Sequence, residues 1–101
     1  MSRLESVSAG NTLLAVGPVD LLSVSGSCTQ GGANTATVAL HDVATTGGIA
    51  AANLVHTFNL PRAGGETGTF QFSFTGALFS AGLCAVVTLN SNTADVVIEY
   101  N

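Results

Sequence analysis

The stretch Gly68-Thr69-Phe70-Gln71-Phe72-Ser73-Phe74-Thr75-Gly76 sets three of the chain's five phenylalanines two residues apart, with small or polar residues between them. A period of two is the signature of a half-buried β-strand. Phe70, Phe72 and Phe74 then share one face and Thr69, Gln71, Ser73 and Thr75 the other. A one-residue slip would turn all three rings into water, so the strand specifies its own orientation. Each buried ring stabilises the fold by roughly 1.5–3 kcal/mol relative to exposure. The chain has no Trp and a single Tyr, so no other segment carries as much aromatic area, and the spacing predicts this strand as the centre of the core.

Working outward, Leu78, Phe79 and an Ala81-Gly82 kink lead to Leu83–Leu89, an apolar run bounded by turn signals and therefore a buried central strand. Asn90-Ser91-Asn92 supplies a turn into Ala94–Tyr100, where Val96, Ile98 and Tyr100 alternate with Asp95, Val97 and Glu99. These last two strands read as a hairpin. Upstream, Asn53–Leu60 places Leu54, His56, Phe58 and Leu60 on one face. Asn34–Asp42 places Ala36, Val38 and Leu40 on one face and Thr35, Thr37 and Ala39 on the other. Between them, Val43–Ala52 reads as an Ala/Gly-rich loop in which Ile49–Ala52 has the length of one helical turn. Further back lie apolar segments at Thr12–Val16 and Val19–Ser27, separated by Gly17-Pro18. Arg3–Ser8 alternates Leu4 and Ser6 with Glu5 and Val7, a weak first-strand pattern, and Ala9-Gly10-Asn11 supplies a turn; residues 1–10 are read as an N-terminal arm before a β-sandwich domain over residues 11–101. Seven or eight short strands, turn signals at roughly 8–12-residue spacing and no periodic helix predict an all-β, single-domain antiparallel β-sandwich or jelly roll.

Composition narrows the function classes. The 101 residues fit one domain. Charged residues are 8% of the chain and hydrophobic residues 47%, against about 25% charged in ordinary soluble domains. Such a chain is either a compact domain surfaced with Ser, Thr, Asn and Gly, or a subunit that covers much of its surface by association. Association is the stronger expectation, because so few charges keep a monomer poorly dispersed. Arg3 and Arg62 are the basic side chains, too few for a phosphate backbone, so no nucleic-acid partner is expected. No apolar run approaches the roughly 18 residues of a membrane helix. The opening Met-Ser-Arg-Leu-Glu-Ser has no apolar signal region, so the chain is expected to stay where it is synthesised. Cys28 and Cys84 lack ligand spacing and are expected as reduced, buried thiols.

The candidate chemistry is sparse. His41-Asp42 and His56 invite a metal or Ser-His-Asp reading, but adjacent strand residues point to opposite faces and no G-x-S-x-G elbow is present. His41 is expected at the surface at a strand end, and His56 partly buried near a sheet edge. Gly31-Gly32, Gly47-Gly48 and Gly64-Gly65 lack the strand, spacing and Lys of a phosphate loop, and read as loop glycines. Tyr100 is the one obvious amphipathic ring, and a sugar site has no support in the sequence. No residue is therefore assigned to catalysis, a cofactor or a metal, and no enzyme activity is expected.

Leu21-Leu22-Ser23-Val24-Ser25-Gly26, Thr37-Val38-Ala39-Leu40-His41-Asp42, the Phe strand, Gly82-Leu83 and Ala94-Asp95-Val96-Val97-Ile98-Glu99-Tyr100 together give a pattern covering most of the chain from about residue 12 onward. It resembles the small β-sandwich capsid decoration, or cement, proteins of tailed bacteriophages. The resemblance implies a non-enzymatic virion protein, made in the host cytoplasm, that sits on the capsid exterior and braces the major capsid protein as a small homo-oligomer, with a trimer favoured. The alternative is an adhesion or receptor-binding module of a head or tail fibre. On the assembly reading the expected contact surfaces are the arm over residues 1–10 and the loop Val43–Asn53.

Overall fold

A computed structural model describes residues 2–29, 36–59, 67–89 and 94–101. The loop glycines at 31–32 and 64–65, the turn at 90–92, and Arg62 lie outside the described residues. Among the described residues eight strands form: β1 (Arg3–Val7), β2 (Gly10–Val16), β3 (Val19–Thr29), β4 (Thr37–His41), β5 (Leu54–Asn59), β6 (Thr67–Phe79), β7 (Gly82–Thr88) and β8 (Ala94–Tyr100). Their antiparallel pairing is nested: β1 with β8, β2 with β7, β3 with β6, β4 with β5. The chain is thus one long hairpin rolled up, so that β8 also joins β3 and β7 also joins β4. Two four-stranded sheets result, ordered β1-β8-β3-β6 and β2-β7-β4-β5. This is an antiparallel β-sandwich with the strand order of a jelly roll.

The core lies between the sheets. Leu21, Val24, Phe79, Val96 and Ile98 from one sheet meet Val38, Leu40, Leu83 and Ala85 from the other. The alternation read from β4 holds, with Ala36, Val38 and Leu40 all buried. β7 is a central strand between β2 and β4, as its apolar run requires.

Three expectations are corrected. β7 and β8 do not form a hairpin, because they belong to opposite sheets. Both alternate, and both send side chains into one core, Leu83, Ala85 and Val87 from one side and Val96, Ile98 and Tyr100 from the other. Alternation does not distinguish a neighbour in the same sheet from a partner across the core. Second, the Phe strand has the predicted facing, but it is not the centre of the core. β6 is an edge strand, so Phe70 is buried while Phe72 and Phe74 are half-buried. The strand also continues past Gly76 to Phe79: Gly76 takes a φ of 72°, and residues 74–76 bulge opposite Leu22. Third, the weak strand read at Arg3–Ser8 forms as β1 (Arg3–Val7), but it is no separate arm: it pairs with β8 along Arg3–Val7 and buries Val7 in the core.

The sheet edges are guarded. β2 carries its extra residue at Leu14, β5 at Val55 and β6 at residues 74–76, and each bulge interrupts the flat ladder another chain would need. β1 pairs without a bulge but carries Arg3 and Glu5.

Candidate functional site

A sandwich closes on its two faces and must seal its two open sides by other means. On one side, edge strands β5 and β6 meet. There Phe58 stacks on Phe72 with centroids 4.7 Å apart, while Phe74 lies 5.6 Å from Phe58 and 5.3 Å from His56. His56 is half-buried at this edge, as its position in the sequence suggested. The rings pack against one another, so this side is a hydrophobic seam.

On the opposite side, between β1 and β2, the seal leaves a cleft of about 400 Å³ lined by Arg3, Leu14, Ala15, Val16, Val19, Tyr100 and Asn101. The β2 bulge builds it. As the extra residue, Leu14 turns its side chain to the core, and its carbonyl, 3.1 Å away, accepts from the Tyr100 hydroxyl. Glu5 Oε1 on β1 is a second acceptor in reach of that hydroxyl, whose single proton is shared between the two. Tyr100, the one obvious amphipathic ring of the sequence, is buried at 3% exposure and serves as a clasp joining β1, β2 and β8. Burial pushes its phenol above the ordinary 10.0; the Glu5 acceptor and its charge add to this, and the Arg3 guanidinium offsets part of it.

Tyr100, its phenol held above the ordinary range, stays protonated at neutral pH and does not act as a base there, while the Arg3 guanidinium offers hydrogen-bond donors to this lining. Among the described residues, no group of three or more His, Cys, Asp and Glu side chains gathers as a metal site. Again among the described residues, no helix is long and apolar enough to cross a membrane.

His41 and Asp42 do point apart, but to structural ends. His41, expected at the surface, is 7% exposed. Its Nδ1 lies 2.8 Å from Asn53 Oδ1 and 3.1 Å from the Ala50 carbonyl. The Asn53 amide orientation is set by Ala50 N–H donating to Oδ1 and by Nδ2 donating to the Gly48 carbonyl. Both His41 partners are therefore acceptors, and Nδ1 carries the proton. This anchor holds the 43–53 loop, which contains two short 3-10 turns, Thr46–Gly48 and Ala51–Asn53. Beneath it, the free thiol of Cys84 is buried and points to the Val43 carbonyl; burial pushes the thiol's pKa up.

Asp42 clasps the turn between β6 and β7, accepting from Ala81 N at 2.7 Å, Ser80 N at 3.0 Å and Gly82 N at 3.3 Å. Burial alone would raise its pKa, but the three backbone donors outweigh burial and hold it below the ordinary 3.8. The stabilisation is therefore complete above that value and is lost as pH falls through the lowered one. Asp42→Ala is expected to cost about 1–2 kcal/mol at neutral pH, at the low end for charge-assisted bonds because the site is partly exposed. Urea melts should show the gap between wild type and variant closing under acid conditions; a gap that persists there would exclude the carboxylate as its source.

The cleft was not legible beforehand. Its one trace in the sequence is the doubled leucine Leu13-Leu14, which breaks the alternation where the bulge falls. No protein-family model matches the chain, and no curated protein matches its sequence.

Proposed function

We propose that this protein is a non-enzymatic virion subunit of the capsid decoration kind, binding the outer surface of a phage shell as a small oligomer. The observation that carries the reading is the bareness of large apolar side chains on a chain with so little charge. Leu4 and Val16 are 68% and 69% exposed, and Leu13, Leu54, Val55 and Leu78 are also exposed. Association is the physical remedy for such a surface. The jelly roll supports the reading as an architecture found in capsid proteins, although lectins share it.

The fold changes where contacts fall. Bulges and charges at the edges disfavour added strands, and β1 is committed to its own sheet. Removing residues 1–10 would strip Val7 from the core and bare β8, so that truncation destabilises the domain as well as any contact. Contacts instead use the exposed side chains on the faces and the 43–53 loop. The purified protein is expected to co-sediment with shells of a phage that encodes it and to saturate at a fixed ratio to the major capsid protein. No binding to such shells would sink the proposal.

The alternative, an adhesion or receptor-binding module, is favoured by the cleft. Saturable binding to host cells or glycans without binding to shells would select it.

A further inference from the structure

We infer that copies of this chain associate through the outer face of the β2-β7-β4-β5 sheet, the Leu13 and Val16 edge of one copy against the Leu54 and Val55 edge of the next. The inference rests on the assembly reading above and names the face that carries it. β4 turns Val38 and Leu40 into the core, and β7 turns Leu83 and Ala85 the same way, so their alternate residues lie outside. One ladder row on that outer face runs Leu13, Cys84, His41, Leu54. The 43–53 loop covers its middle, where Cys84 and His41 are buried. The two edges stay bare, with Leu13 39%, Leu54 44% and Val55 42% exposed. Across the bulge at Leu14, Val16 extends the β2 strip opposite Gly82. The neighbouring row is small and smooth, with Val86 and Ala39 half-buried at its centre.

Charge separates this face from its opposite. The chain carries a net charge of −4, so its copies meet closely at least cost where acids are absent. Among the described residues, no Asp, Glu or Arg side chain stands on the outer face of β2-β7-β4-β5; Asp42, next to His41, is turned to the amides of the β6–β7 turn. The acids Asp20, Asp95 and Glu99 alternate with buried residues of β3 and β8 and so stand on the other outer face. There each bare leucine is set against a carboxylate, Leu4 opposite Glu99 and Leu78 opposite Asp20. Burying either would strip water from an acid, whereas Leu13 and Leu54 have the covered Cys84 and His41 beside them. Size agrees with the choice. Extents of 39, 27 and 17 Å give the broad faces a footprint on the order of 1,000 Å², against roughly 800 Å² that each partner buries in a stable contact, and the 17 Å sides fall short of that. Two unlike apolar edges on one face let a ring of copies close.

The test is sedimentation equilibrium of the full chain and three variants at micromolar concentrations, with thermal melts to establish that each is folded. Leu54→Glu and Thr57→Glu, both at exposed positions of the proposed face, should each raise the dissociation constant at least about ten-fold. Gln71→Glu, exposed on the opposite face, should leave it within about two-fold. Added salt should not weaken the contact, because no ion pair holds it. Amide hydrogen exchange in residues 43–53 should slow as the wild type is concentrated, which reads the face without any substitution. A wild type that stays monomeric would remove the assembly reading itself. An oligomer that survives Leu54→Glu and Thr57→Glu in folded proteins, that dissociates equally with Gln71→Glu, that weakens with salt, or that leaves exchange in 43–53 unchanged would overturn this inference alone.

Discussion

Gly26→Ala is expected to abolish cooperative folding. Gly26 lies in β3, between β6 and β8, paired with Phe70 on one side and Val96 on the other. Its φ of 150° is one that side-chain-bearing residues rarely adopt, and a Cβ built there would stand 1.7 Å from the Asp95 carbonyl oxygen and 2.8 Å from its carbon. Both are backbone atoms of a paired strand, so no rotamer change relieves the overlap. β3 and β8 would have to part in the middle of their sheet. A cost on the order of 4 kcal/mol or more belongs to this kind of backbone conflict, and a domain of this size has about 5–15 kcal/mol in total. Gly47 is the control: nothing lies within 4 Å of a Cβ there, and Gly47→Ala should stay within about 0.5 kcal/mol. Circular dichroism melts of the pair settle the matter, and a Gly26→Ala protein that melts within a few degrees of wild type would mean that β3 and β8 do not pair as described.

Phe79→Ala is expected to cost about 3–5 kcal/mol, the range for removing a fully buried ring. Phe79 is the largest side chain at 0% exposure; it closes β6 opposite Val19 and joins the same core as Leu21 and Leu83. Phe72→Ala should cost roughly half as much, because Phe72 only packs against the core from the edge. Gln71→Ala, on the outer face, should change stability by no more than about 0.5 kcal/mol. Denaturant unfolding of the three variants gives the order directly. An equal loss from Phe72→Ala and Phe79→Ala would place the core at the edge seam instead.

That ranking shows where sequence reading stops. The period of two at Phe70, Phe72 and Phe74 reports which way side chains point, and the structure agrees on the facing. It carries no information on whether a strand is central or at an edge, because that depends on partners far away in the chain. The same limit explains the false hairpin of β7 and β8. Bulges are also nearly silent: the doubled Leu13-Leu14 marks one, and Gly76 looks like a strand end though it is a kink within β6. His41 misled because its partners, Ala50 and Asn53, lie in a loop with no periodicity to reveal that it folds back. Fold class, by contrast, follows from many short alternating segments together, and single errors of pairing leave it unchanged. The candidate site was illegible for a related reason, since Arg3, Leu14, Val19 and Tyr100 meet only once the hairpin has rolled.

The bare apolar surface bears on one question above the rest, whether the protein works alone or in company. Sedimentation equilibrium of the full chain at micromolar concentration answers it. On the proposed decoration role a symmetric oligomer is expected, with three copies of the 10.1 kDa chain favoured. A single species at 10.1 kDa that stays monomeric across the concentration range, with Leu4 and Val16 left in water, would contradict the assembly reading.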